Sequence, residues 1–147
     1  VACELCERFS LGADEPRGYL HFDDLVAVLH AAPGGDGRSY LGHLLVCPRR
    51  HAEDFAALDE RECGVVAVEI ATWTRALKSL GATRVYLATI GHHVDHLHVH
   101  LLPRWPETPD EVAWHQVDEW PGARTGNVDE ITSFVAEVAG VHRGETH

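Results

Sequence analysis

An α+β fold built on an antiparallel sheet is what this sequence predicts, and three observations predict it. Segments of strand character lie on both sides of one long amphipathic helical stretch. Neighbouring strands are separated by short turns, where a parallel βαβ fold would alternate them with helices. The chain has 147 residues, 45% of them apolar, which is enough for one substantial core and makes one domain the expectation.

The elements follow in order. Residues 19–31 (YLHFDDLVAVLHA) read as two short strands around a tight turn at Asp23 and Asp24, with Val26, Val28 and His30 alternating against Leu25, Ala27 and Leu29. Pro33-Gly34-Gly35-Asp36-Gly37 is a breaker cluster. Gly42 to Pro48 (GHLLVCP) is a strand closed by its proline. Asp59, with Glu62 three residues on, has the spacing of a capping box. The helix it opens carries Cys63, Val66, Ala67, Ile70, Thr74, Leu77 and Leu80 on one face and stops at Gly81. Arg84 to Ile90 is rich in strand formers, and His93 to Leu102 forms a further strand after a short connection at Gly91, ended by Pro103. Asn127 with Glu130 caps a last helix whose apolar positions include Val128, Ile131, Phe134, Val135 and Val138. Between them, the Trp-containing stretch from Trp105 to Thr125 shows no clear period.

A net charge of -11, with histidine counted as neutral, repels polyanions and argues against nucleic acid or an anionic membrane as partner. A small anionic ligand needs only a local pocket. No apolar run of membrane-spanning length and no stretch of secretory-signal type occurs, so the expected location is the cytoplasm. The four cysteines stand at 3, 6, 47 and 63. In a reducing compartment the Cys3-x-x-Cys6 pair reads as a metal half-site or a redox pair before it reads as a disulfide. Cys47 and Cys63 fall on apolar positions and read as small buried hydrophobes.

Chemistry is concentrated in residues 91–104, GHHVDHLHVHLLPR. On a strand, His96, His98 and His100 project from one face while Leu97, Val99 and Leu101 project from the other. Successive imidazoles then stand about 6.5–7 Å apart at Cα, close enough for one to attack a phosphorus atom while the next reaches a phosphate oxygen. A shared metal ion is the competing use of such a row.

The run His96-Leu97-His98-Val99-His100-Leu101-Leu102 resembles the signature of the histidine triad family, and Pro103-Arg104 follows it as is common there. Upstream, residues 22–29 resemble the family's early hairpin, and residues 42–51, GHLLVCPRRH, resemble its Gly-His strand ending in Pro-x-x-His. The resemblance covers about residues 3–104, the core of a 1–147 domain, with the Trp-containing segment and helix appended over 105–140. It implies a five-stranded antiparallel sheet with two main helices, paired as a homodimer, that acts on nucleotide-like phosphates. His98 would be the nucleophile, forming a transient nucleotidyl-imidazole that water resolves. His100 would stabilise the phosphate oxygens or protonate the leaving group. His93 stands where many members carry a small hydroxyl residue that touches phosphate, His92 where they often carry Gln, and His30 where they carry an Asp that binds the ribose. The chain departs from the family at these positions and lacks the Asn-x-Gly pattern before Gly91, so the nucleoside is left open. A nucleotidyltransferase that passes the group to an acceptor other than water, and a non-catalytic nucleotide-binding module, are the alternative functions. In zinc-bearing relatives, and in galactose-1-phosphate uridylyltransferase, the ligands correspond to Cys3, Cys6, His51 and His96, which implies one structural zinc per chain.

Overall fold

The computed structural model describes residues 3–14 and 18–144; the two ends of the expected 1–147 unit lie outside them. In chain order the elements are α1 (Glu4–Ser10), β1 (His21–Phe22), β2 (Val26–His30), β3 (Ser39–Tyr40), β4 (Leu44–Pro48), α2 (Glu60–Ser79), β5 (Arg84–Ala88), β6 (Val99–Arg104), β7 (Thr125–Gly126) and α3 (Val128–His142). Five strands form one antiparallel sheet in the order β1-β2-β4-β6-β5. β3 and β7 make a separate two-stranded ribbon. The α+β class and the five-stranded antiparallel sheet are those expected, with α2 and α3 as the main helices and α1 as a short third.

Local chemistry explains most boundaries. Asp23 closes the β1–β2 turn by accepting the N–H groups of Leu25 (2.8 Å) and Val26 (2.9 Å). At the head of α2 the capping box is complete: Asp59 accepts from the Glu62 N–H at 2.8 Å, and Glu62 accepts from the Asp59 N–H at 3.1 Å. Arg50 also donates to both Glu62 carboxylate oxygens, at 2.9 and 2.7 Å, and this pairing holds the carboxyl below its usual range. Glu62 is therefore buried beside Val66, Trp73, Ala76 and Leu77. The inward face of α2 is rotated from the expected one: Ala67 is exposed and Cys63 half-buried, while Trp73 is 1% exposed at the centre of the core.

β6 differs most from expectation. It runs from Val99 to Arg104, so residues 91–98 approach it as irregular chain and Pro103 lies inside it. The proline is tolerated because β4 leaves β6 after Leu44 pairs Leu101, and Pro103 has only β5 beside it, opposite Val85. The Pro103 carbonyl accepts the Tyr40 hydroxyl at 2.7 Å.

The sheet has two unlike faces. Val26 and Val28 of β2, Leu44 and Val46 of β4, and Val99 and Leu101 of β6 pack with Trp73, Leu77, Trp105 and Phe134 in the main core under α2 and α3. The alternate residues Ala27, Leu29, Leu45 and Cys47 form a smaller cluster with Phe9 of α1. His100 pairs Leu45 across β4–β6 and so shares this second face.

Candidate functional site

α1 carries Cys3 at its N-cap, where the Cys6 N–H approaches the Cys3 sulfur at 3.4 Å. Seven residues are too few to hold a helix alone; Phe9, 4% exposed, anchors it by packing edge-on against His96 at a centroid distance of 5.5 Å. This docking brings Cys3, Cys6, His51 and His96 together, with one donor atom from each within 4.8 Å of the others. The Cys3 and Cys6 sulfurs lie 3.5 and 3.4 Å from His96 Nδ1, and Cys6 lies 3.5 Å from His51 Nδ1. Tetrahedral ligands at zinc–sulfur and zinc–nitrogen bond lengths stand about 3.6 Å apart, so the donor set fits. His96 Nε2 is 2.7 Å from the Pro48 carbonyl, which can only accept; the ring proton is therefore on Nε2 and Nδ1 offers its lone pair to the cluster. Burial lowers the His96 pKa and, with the Cys3 thiol adjacent, raises that of Cys6. A divalent cation would reverse the second effect.

Two residues on, His98 turns elsewhere. Its Nδ1 lies 2.6 Å from the His96 carbonyl and must donate, so Nε2 carries the free lone pair. The ring faces a cavity of about 550 Å³ whose walls include Leu5, Glu7 and Arg8 of α1, Ala32, Leu45 and Val94. Half of this wall is α1, an element the sequence pattern does not announce. A neighbouring cavity of about 390 Å³ shares Glu4 and Val94 with the first and is lined by His93, His51, Glu53 and Asp95 as well.

His98 and His100 pack edge-on at 4.8 Å, and His100 Nδ1 meets His43 Nε2 at 2.8 Å. Burial first, and the neighbouring imidazoles second, push His43 down to about 3 and His100 to about 4, so both are neutral at pH 7. One of the two facing nitrogens must carry the proton. With it on His43 Nε2, His100 accepts at Nδ1 and keeps Nε2–H for the site. His43 had no role assigned from sequence; the signal available was its place beside Gly42 in the Gly-His strand.

The other expected contacts divide. His93 and His92 are exposed on the irregular stretch before β6 and pack edge-on at 4.8 Å, with His93 on the wall of the 390 Å³ cavity. His98 and His100 pack against each other, whereas His96, 0% exposed, packs on Phe9 and His51 beside the two cysteines, so the expected row of three imidazoles divides between two surroundings. His30 is 3% exposed and lies with Val26 and Val28 on the α2 side of the sheet, where its Nδ1–H donates to the Ala31 carbonyl at 2.9 Å and its Nε2 accepts the Gly42 N–H at 3.0 Å. It is thus turned away from the cavity, whose wall takes Ala32 instead. A period of two puts His30 on the core face, a consequence its own alternation with Val26 and Val28 already carried.

Known proteins share this fold. In overall structure the chain is similar to a zinc-bound histidine triad family protein from Mycobacterium smegmatis, with a TM-score of 0.68, 19% identity and 98% of each chain covered. It is also similar to a hypothetical histidine triad nucleotide-binding protein from Sulfolobus tokodaii, with a TM-score of 0.66, 19% identity, and 99% and 100% of the two chains covered. In sequence it is 35% identical over 86 residues to an uncharacterized HIT-like protein of Mycoplasma genitalium, spanning 57% of that protein's length. The model of the HIT domain matches residues 17–107, which hold every strand of the main sheet as well as His98 and His100, and the chain belongs to that family.

Proposed function

We propose that the protein is a hydrolase that cleaves a phosphoanhydride, phosphoramidate or related bond at the α-phosphate of a nucleotide-like substrate, through a covalent intermediate on His98. The observation that carries this reading is the His98 ring itself, which lines a cavity of about 550 Å³ and ties Nδ1–H to a backbone carbonyl, the tautomer that leaves the lone pair on Nε2. Nε2 attacks phosphorus, the bond to the leaving group breaks with its electron pair, and a proton reaches the leaving group. Water then attacks the same phosphorus, returns the imidazole and frees the nucleotide. His100, held neutral, donates Nε2–H to a phosphate oxygen and offsets its charge, while the departing group takes its proton from solvent. His93, in the adjoining cavity, is the remaining candidate contact for phosphate or leaving group.

Cys3, Cys6, His51 and His96 would hold one zinc ion, which when bound supplies charge and rigidity at a closed four-ligand site and leaves no position for water. The ligands tie α1 to the chain just before His98. The edge strand β5, with Leu87 exposed by 53% and Ile90, just beyond its end, by 72%, favours pairing of two copies edge to edge. Light scattering should then give about twice the 16.2 kDa chain mass. Residues 1–147 would act as one unit, in a reducing compartment that keeps the thiols available. Among the described residues no helix is long and apolar enough to cross a membrane.

Single-turnover reaction with a phosphate-labelled nucleoside phosphoramidate or dinucleoside polyphosphate tests the reading. Label should be trapped on His98, and His98→Ala should lower kcat and kcat/KM together by about a thousandfold or more. Activity above a few per cent of wild type in that variant would remove His98 as nucleophile. Release of the label to water marks a hydrolase; transfer to an added acceptor alone would make the protein a nucleotidyltransferase.

A further inference from the structure

We infer that His30 and Trp105 are positioning residues for the catalytic imidazoles, acting through the turn before β4, and that the C-terminal helix exists in part to back them. The inference rests on the catalytic reading of His98 and His100 and concerns residues that never meet the substrate.

The turn is Tyr40-Leu41-Gly42-His43. The His43 N–H donates to the Tyr40 carbonyl at 3.1 Å, and Gly42 holds φ at 95°, as the third position of a type II turn requires. The peptide between Leu41 and Gly42 is the one that would rotate if the turn changed type. Both of its polar ends are clamped by side chains: Trp105 Nε1–H donates to the Leu41 carbonyl at 3.0 Å, and the Gly42 N–H donates to His30 Nε2 at 3.0 Å. His30 is suited to this because its proton is on Nδ1, committed to the Ala31 carbonyl, which leaves Nε2 as acceptor. Gly42 is buried, so its N–H has no recourse to water.

The same geometry reaches the reacting groups. His43 follows Gly42 directly, its carbonyl accepts the Ala31 N–H at 2.8 Å, and its ring contacts His100 Nδ1 at 2.8 Å. His30 and Trp105 therefore act from the core face of the sheet on a side chain of the opposite face. Whichever nitrogen of the His43–His100 contact carries the proton decides whether His100 presents a donor or a lone pair to phosphate. Phe134 of α3 packs edge-on against both clamps, at 6.1 Å from His30 and 6.0 Å from Trp105. Arg124 adds a third hold, its carbonyl accepting the Leu41 N–H at 2.8 Å. The segment after residue 104 thereby locks the turn that orients His43.

The test uses the full chain. His30→Leu keeps the bulk and removes the acceptor, His30→Gln restores an amide oxygen in reach of the Gly42 N–H, and Trp105→Phe removes one donor with little loss of volume. His30→Leu and Trp105→Phe should each lower kcat by about tenfold or more, with KM changed less than kcat, and His30→Gln should recover most of the loss. Long-range proton–nitrogen NMR correlation on the substrate-free protein should find the His100 proton on Nε2 in wild type and divided between the two nitrogens in His30→Leu. A merely structural role would not move that tautomer. Folded His30→Leu with wild-type kcat and an unchanged His100 tautomer would overturn the proposal. If His30→Leu does not fold, Trp105→Phe decides by the same two measurements. Activity surviving in His98→Ala would sink the catalytic reading instead, while the tautomer of His100 would still decide the clamp.

Discussion

Two clusters of histidine lie within a few residues of each other along the chain and do opposite things with the same ring. At the Cys3–Cys6 end, His96 gives its Nε2–H to the Pro48 carbonyl, so its remaining lone pair converges with two sulfurs and a second imidazole. At the other end, His43 and His100 face each other nitrogen to nitrogen, and His30 binds backbone through both of its ring nitrogens. Side-chain type does not distinguish them. The partner of the second ring nitrogen does: a carbonyl accepts a proton and leaves a lone pair for a metal or a phosphorus atom, whereas two facing imidazoles share one proton between them while burial keeps both neutral.

The difference predicts different losses. Largest is the loss of metal. Cys3→Ser with Cys6→Ser, or a strong chelator, should remove zinc and lower stability by about 4 kcal/mol if the free metal stands at a thousand times its Kd. Thermal melts with and without added zinc measure this. Equal melting temperatures would show that the cluster holds no metal and that the two ends do not differ in kind.

Next in size is Gly42→Ala, which strikes the histidine end. A methyl group there would stand 2.6 Å from Pro103 Cγ and 3.0 Å from the Trp105 ring, on a residue whose φ is 95°. Overpacking and the left-handed backbone together should cost about 2–4 kcal/mol, with zinc content unchanged. Denaturant unfolding and metal analysis on the same sample separate the two ends.

A third difference is a dependence on pH, silent at neutral pH and growing in acid. In the unfolded chain His43 and His100 take up protons near pH 6.5; folded, they do so only near 3 and 4. The unfolded state therefore binds more protons as the pH falls, so their contribution is complete above about pH 6.5 and is lost progressively toward pH 3. Acid also releases metal. The slope that persists in the Cys3→Ser, Cys6→Ser chain belongs to the histidine end, and His43→Leu should flatten it; a slope unaffected by His43→Leu would assign it elsewhere. Least of all, Cys63→Ser, on the half-buried side of α2, should leave metal content and activity at wild-type level.

Local chemistry determined a good part of the molecule. Asp59 with Glu62, and Asn127 with Glu130, name their helix starts because a cap needs only a side chain and the N–H three residues on. The strand pattern of Val26 to His30 and of Leu44 to Pro48 follows from period-two burial. His98 and His100 were legible for the same reason, and their likeness to a known signature supplied a chemistry that spacing alone left shared with metal binding.

Tertiary structure decided what has no short-range cause. β3 and β7 are two residues each and exist only because residues 39–40 meet residues 125–126. Pro103 reads locally as a strand end, yet β6 continues through it because β4 has already departed. α1 is too short to be stable alone and forms on Phe9 and the cysteine cluster, and with it comes half the cavity wall that His98 faces. His43 and His100 are neutral because burial outweighs their exposure to solvent water, a balance set by the packing of distant segments. The sequence determined which side chains could do chemistry, since that is a property of each residue and its near neighbours; only the fold decided which nitrogen of each imidazole is left to do it.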